Sequence, residues 1–276
     1  MAILLKKLTS KQELDEMEEL ERKIWSDDSV IPLHMTLTVA KFGGLFLGAY
    51  DGEKMIGFLY SFPGFTDGQP HLCSHMLGFL PEYRKQGLGV AMKWLQREES
   101  RKLGHAKITW TFDPLETVNG YLNIHKLGGI VRSYLPNCYG ELNDEMNRGL
   151  PTDRFLVEWF IDSNRVERYQ QTGQEPIPWE TIPQILPYQV NGQGLPVPAD
   201  SDRTLADNRL LLAVPAHFQA IKRTDFALAA AWRQATGALF PYYFDKGYCV
   251  TEVGRHPVEP VVFYLLERQP LDQLLA

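Results

Sequence analysis

The segment Leu77-Gly78-Phe79-Leu80-Pro81-Glu82-Tyr83-Arg84-Lys85-Gln86-Gly87-Leu88-Gly89-Val90 limits the possible folds more than any other stretch of this chain. An apolar run ends at a proline, which has no N–H to give to a strand ladder. A charged loop with two glycines follows, and Leu88, Ala91, Met92 and Leu95 then recur at helical spacing. Glycines at 87 and 89 let the backbone approach a ligand without a Cβ in the way. The free N–H groups and positive dipole end of the helix that opens there favour an anion, and the length of the loop suits a pyrophosphate. The spacing Arg84-x-x-Gly87-x-Gly89 is not the Gly-x-x-x-x-Gly-Lys-Ser/Thr loop of NTPases. It also lacks the third glycine of the dinucleotide loop Gly-x-Gly-x-x-Gly.

The flanking patterns build a mixed sheet around this unit. Residues 3–8 read as a strand, and Thr9-Ser10 caps a helix from Lys11 whose stripe is Leu14, Met17, Leu20 and Ile24. Apolar runs at 44–50 and 55–61 flank Asp51-Gly52, a strong hairpin signal. Strands are expected at 71–80, 108–112, 130–134 and 154–161. Helices are expected from 88 to a stop at Gly104 and from 115 to 127, ahead of Gly128-Gly129. Past Arg168, residues 176–198 hold Pro176, Pro178, Pro183, Pro187, Pro196 and Pro198, which predicts an extended crossover without helix or central strand. Strands at 209–214, 248–253 and 261–266 follow, with a helix at 224–240 capped by Thr224. The expected organisation is an α/β (α+β mixed-sheet) domain at 1–165, a proline-rich crossover at 166–205 and a C-terminal α/β lobe at 206–276.

Composition narrows the function classes. The 276 residues carry a net charge of −6, and the basic residues occur in pairs such as Arg84-Lys85, so no nucleic-acid partner is expected. Three cysteines (Cys73, Cys138 and Cys249) fit a reduced compartment. The first residues put a short apolar patch ahead of charge, the reverse of a signal peptide, and no run approaches ~18 apolar residues. The expectation is a soluble cytoplasmic protein with no membrane partner.

The Arg-x-x-Gly-x-Gly loop after a strand ending in Leu-Pro resembles the coenzyme A pyrophosphate loop of the GNAT N-acetyltransferases. A second stretch, Asn119-Gly-Tyr-Leu-Asn-Ile-His-Lys126-Leu127-Gly128, is similar to the late helix of that superfamily. Together the two resemblances cover roughly residues 3–161. They imply a GNAT fold with an additional lobe. They also imply an acyl-CoA cosubstrate, acetyl-CoA or another, with no metal. The implied cofactor-binding residues are Gly78, Phe79 and Leu80 on the strand, and Arg84, Lys85, Gln86, Gly87, Leu88, Gly89 and Val90 in the loop and helix start. Asn119 and Lys126 would lie beside the pantetheine arm. The implied reaction is direct acyl transfer to the amine of a small molecule. The two-part layout is similar to bacterial GNAT proteins linked to N-acylation of amino acids, some of which use succinyl-CoA. A homodimer is left open, and so is a CoA-binding regulatory module without chemistry.

Acid–base candidates follow from the chemistry of an amine acceptor, which must lose a proton before it attacks a thioester. His75, on the strand before the loop, is suited to take it, and the arylalkylamine acetyltransferases look similar there. The competing reading of His75 is a core histidine. The superfamily often has a Tyr two residues before the late-helix Lys; here that position is Ile124. Tyr121, Tyr134, Tyr139 or water then remains to protonate the leaving thiolate. A carboxylate could also serve as base, with Glu21, Asp113 and Glu116 as candidates, although Glu21 and Glu116 read more readily as solvated or capping residues and Asp113-Pro114 as a turn. Arg132 and Arg154 could bind a substrate carboxylate but read singly as surface ion-pair partners. His71, Cys73 and His75 share a strand face but span about 13 Å, too far for one metal ion. The block Phe240-Pro-Tyr-Tyr-Phe-Asp-Lys246-Gly247-Tyr248 echoes the late-helix end and is either a degenerate half-copy of the same fold or an unrelated lobe.

Overall fold

The computed structural model describes residues 3–25, 30–66, 68–142, 144–173 and 176–276. They form two compact units: the chain up to Trp110 with Phe160–Asp162, and Thr111–Trp159 with Ser163–Ala276. The proline-rich stretch 166–205 lies within the second unit, as does the boundary expected at 165. Among the described residues no helix is long and apolar enough to cross a membrane.

The first unit contains β1 (Leu4–Lys7), α1 (Lys11–Ile24), α2 (Leu33–Lys41), β2 (Leu45–Asp51), β3 (Lys54–Thr66), β4 (Gln69–Phe79), α3 (Leu88–Lys102) and β5 (Lys107–Phe112). Its strands lie in the order β1-β2-β3-β4-β5, antiparallel except for the parallel pair β4/β5. Ser10 caps α1 through a capping box: its side chain accepts from the Glu13 N–H while the Glu13 carboxylate accepts from the Ser10 N–H. Leu14, Met17 and Leu20 of α1 then close over Phe46, Phe58 and Tyr60 on one sheet face. The spacing missed α2, whose nine residues bury only Thr36.

Helix α3 turns a different face inward from the expected one. It buries Met92 together with Lys93, Gln96, Arg97 and Ser100, and leaves Ala91 exposed. The polar groups are matched: Lys93 Nζ donates to Ser74 Oγ (2.9 Å), Gln96 Nε2 to Ser61 Oγ (2.7 Å), and Arg97 Nε to the Ile161 carbonyl (2.6 Å). Periodicity of apolar residues cannot find a face packed through hydrogen bonds.

The second unit contains α4 (Thr117–Gly120), which continues into a π-helical turn at Tyr121–Lys126, then β6 (Ile130–Leu135), β7 (Arg154–Phe160) and α5 (Asn164–Gln171). The single helix expected at 115–127 is therefore two differently wound segments. β8 (Gln184–Leu186), β9 (Tyr188–Val190) and β10 (Pro196–Pro198) come from the proline-rich stretch. β8 pairs in parallel with β11 (Arg209–Pro215) at the end of the sheet, and among the described residues β9 pairs only with β10, whose Pro196 and Pro198 have no N–H to give. Then come α6 (Phe218–Thr224), α7 (Phe226–Phe244), β12 (Cys249–Arg255), β13 (Val261–Glu267) and α8 (Leu271–Leu275). Thr224 ends α6 and is not a cap; Asp225 caps α7 through Leu228 N–H, and α7 runs past Pro241 to Phe244.

The sheet order in this unit is β7-β6-β12-β13-β11-β8. The hairpins β6/β7 and β12/β13 meet at the pair Val131↔Val250. Three residues before each of these valines is a left-handed glycine, Gly128 (φ 71°) and Gly247 (φ 83°), and a helix precedes each glycine. The C-terminal lobe thus repeats the helix–glycine–hairpin order of 117–160.

Candidate active site

Within the first unit, β4 pairs with β5 only at Leu72↔Ile108 and Cys73↔Thr109. From Ser74 to Phe79, β3 is the only strand partner of β4 among the described residues. An extended chain of amides can add to such a one-sided ladder by main-chain hydrogen bonds. The free stretch leads straight into the loop that opens α3. Lys85 (φ 63°) and Gly87 (φ 77°) are both left-handed, which curls the chain so that α3 starts at Leu88. The first intrahelical bond is Ala91 N–H to the Gly87 carbonyl (3.1 Å), so the N–H groups of Leu88, Gly89 and Val90 have no carbonyl partner inside the helix. Gln86 and Gly87 are exposed, and a Cβ at Gly87 would meet nothing within 4 Å. Arg84 Nε donates to the Phe79 carbonyl (3.0 Å), tying the loop to the strand end. The geometry is that of an open anion cradle.

His75 lies where β4 gains one residue: Tyr60 pairs with Met76, but Ser61 pairs with Ser74. This β-bulge lets His75 and Met76 pack on the same face, a pattern that strict alternation forbids. The imidazole stands edge-on to Tyr60 (5.8 Å between centroids) and tilted against Phe62 (5.8 Å), with its remaining surface exposed. These rings keep water from one side, and burial pushes its pKa below the usual imidazole value. A neutral imidazole at neutral pH is the proton-accepting form.

Two residues at the end of α1, Glu21 and Trp25, complete this part of the first unit. Glu21 is not solvated: it is 0% exposed, with Ile31 N–H at 3.3 Å from both carboxylate oxygens. Burial pushes its pKa up to about 7. Its position four residues after Met17 and three before Ile24 put it on the apolar stripe, a signal in the sequence that was available. Trp25 lies over Gly78, whose missing Cβ would come within 2.6 Å of the indole. Gly78 is therefore required by Trp25. Phe79 is buried and Leu80 half-buried. Burial pushes the Cys73 thiol up, which makes it a poor nucleophile. Among the described residues no three His, Cys, Asp or Glu side chains gather as metal ligands.

The remaining candidates belong to the second unit. Asn119 and Lys126 are exposed on the α4 helix and its π-helical continuation, while Ile124 is fully buried. Tyr121 is exposed and stacks on His125 (4.4 Å). Tyr134 is buried, donates to Asp153 Oδ2 (2.6 Å) and has its pKa raised by burial, so its proton is already engaged. Tyr139 is exposed, 2.7 Å from Thr111 Oγ1, with the Arg154 guanidinium 5.4 Å from its ring centre. Arg132 forms the expected ion pair, with Glu158, through two hydrogen bonds. Arg154 is not on the surface; it is buried near Asp113 and bonds Asn147 (2.8 Å). Asp113 accepts from Leu115 N–H, the expected turn, and also pairs with Arg233. Glu116 is half-buried, accepts from Gln219 (2.6 Å), and burial raises its pKa.

Residues 10–120 match the family model described as the acetyltransferase (GNAT) family. The match spans 111 of the 276 residues and lies mostly in the first unit. No curated protein matches the chain significantly. Among solved structures, Arabidopsis thaliana NAA60 in complex with a bisubstrate analogue is 16% identical and aligns over 58% of this chain and 98% of that one (TM-score 0.46). The Escherichia coli ribosomal-protein-S18-alanine N-acetyltransferase is 17% identical over 58% and 94% (TM-score 0.46). Mosquito arylalkylamine N-acetyltransferase like 5b is 18% identical over 57% and 97% (TM-score 0.45).

Proposed function

We propose that this chain moves an acetyl or other short acyl group from acyl-CoA to the primary amine of a small molecule, an amino acid among the candidates, by direct attack. The observation that carries this reading is the one-sided stretch Ser74–Phe79, with His75 bulged at its start and the anion cradle at its end. The cradle N–H groups of Leu88, Gly89 and Val90 hold the pyrophosphate. The free edge of β4 pairs with the amides of the pantetheine arm. The resemblance assigns Asn119 and Lys126 to the same arm. His75 takes the ammonium proton, directly or through water, and the freed amine nitrogen bonds to the thioester carbonyl carbon. The tetrahedral intermediate then expels the thiolate as the C–S bond breaks. The attacking nitrogen gives up its second proton to leave a neutral amide, and Tyr139, whose hydroxyl lies 2.7 Å from Thr111 Oγ1, or a water passes that proton to sulfur.

The test is a thiol-release screen of several acyl-CoAs against amino acids, polyamines and arylamines, run on the parent and on His75→Ala. The variant is expected to lose ~10²–10⁴ in turnover with nearly unchanged acyl-CoA affinity. In the parent the rate falls as pH drops through the lowered imidazole pKa. A variant with near-normal rate and the same pH profile refutes the role of His75. The buried Ile124, where the family often has its Tyr, favours a second reading, a CoA-binding module that senses without turnover. Acyl-CoA binding with no thiol release across the whole amine panel would select it.

A further inference from the structure

We infer that the second unit carries a pocket for a small molecule with an apolar body and a single carboxylate. A cavity of about 400 Å³ lies beside α4, in the range of small-ligand sites. Val253 and Val262 are its buried walls; Val118 (79% exposed) and Tyr121 are its open apolar side. Arg255 and His217, both exposed, form the rim.

The walls are held apart, so the space is built into the fold. Gly120 has no Cβ, which admits the Tyr264 hydroxyl to 2.6 Å from the place a Cβ would take. That hydroxyl donates to the Pro114 carbonyl (2.7 Å), clamping the start of the helix against β13. On the other side Thr117 Oγ1 donates to the Ala216 carbonyl (3.0 Å). At Tyr121 the winding changes to π, a rare feature frequently found at functional sites. A helix pinned by two hydrogen bonds cannot collapse into the gap.

The charge at the rim sets the ligand. Among the described residues no carboxylate lies within 4.0 Å of Arg255. Its Nη2 lies 3.4 Å from His217 Nε2, at the long end of hydrogen-bond distance, which leaves its other N–H groups unengaged by that ring. The rim therefore offers one positive charge with spare N–H groups above an apolar floor. One guanidinium matches one carboxylate in charge and in bidentate geometry, whereas a phosphate dianion would be left half-neutralised.

Octanoate and neutral octanol are the probes, titrated calorimetrically into the intact protein, Arg255→Ala and Val118→Trp. Val118 is exposed, so the indole fills the cavity without entering the core, and circular dichroism checks the fold. Saturable one-site binding of octanoate is expected, weakened about tenfold or more in Arg255→Ala. Octanol affinity should be the same in the parent and Arg255→Ala, and Val118→Trp should abolish binding of both probes. Three results would overturn the inference: no saturable octanoate binding at millimolar concentration, equal octanoate affinity in parent and Arg255→Ala, or octanoate binding that survives Val118→Trp. Octyl phosphate binding more tightly than octanoate would overturn the single-charge argument. None of these readouts depends on acyl transfer, so they stand or fall apart from the proposed activity.

Discussion

Replacing Glu21 by Gln should make the protein more stable, and by an amount that depends on pH. The buried carboxyl has its pKa raised from 4.5 to about 7, so folding disfavours its charged form. Below pH 4.5 it is protonated in both states and carries no penalty. As pH rises from 4.5 towards 7 the unfolded chain ionises while the folded one resists, so native stability is lost across that window. Above 7 the loss is complete. Two-state linkage gives a penalty of about 0.8 kcal/mol at pH 5 and about 3 kcal/mol at pH 8. Glutamine keeps the size and offers a carbonyl to Ile31 N–H, while its amide adds a cost that does not vary with pH. The stability difference between variant and parent should therefore change by roughly 2.5 kcal/mol between pH 5 and pH 8 in favour of the variant. Urea unfolding at pH 5, 6, 7 and 8, with linear extrapolation for each protein, measures it. A difference that is flat with pH would refute the reasoning, because Glu21 would then ionise alike in both states. The same variant tests the chemistry: if His75 alone is the base, Glu21→Gln keeps its turnover.

Lys93 should show the opposite pH sign. Its ammonium is buried against Trp110 (3.6 Å to the ring centre) and burial pushes its pKa down to about 7, so the native state is penalised increasingly as pH falls from 10.5 to 7. Lys93→Met should gain stability relative to the parent as pH drops from 10 to 7, and denaturation curves at both ends check this. Gly87→Asp should abolish CoA binding in a folded protein, since a carboxylate would face the pyrophosphate; unchanged CoA affinity by calorimetry would count against the cradle. Ser10→Ala should cost about 1 kcal/mol through loss of the α1 cap. Lys6 and the capping N–H groups hold the Glu13 pKa down to about 2, so the stability from Glu13 persists above pH 4.5 and fades as pH falls towards 2; an acid unfolding curve of Glu13→Gln that matches the parent would contradict it.

Local chemistry was legible in the sequence, and contacts between distant residues were not. Asp51-Gly52, Ser10, Gly87 before α3 and Gly104 after it act through their neighbours, and each starts, ends or turns an element where its spacing said it would. The anion cradle belongs to this class, because backbone dihedrals and helix-end N–H groups need no partner from elsewhere. The buried face of α3 was hidden because Lys93, Gln96 and Arg97 look like solvent-facing residues until Ser74, Ser61 and the Ile161 carbonyl are set opposite them. The bulge at His75 exists only in the register between β3 and β4, and the indole over Gly78 comes from more than fifty residues upstream. In the C-terminal lobe apolar runs located the strands, but only pairing through Val131↔Val250 revealed the repeated arrangement. One sequence fixes which residues seek burial or a hydrogen bond; the partner that satisfies each of them is chosen only when the chain closes on itself.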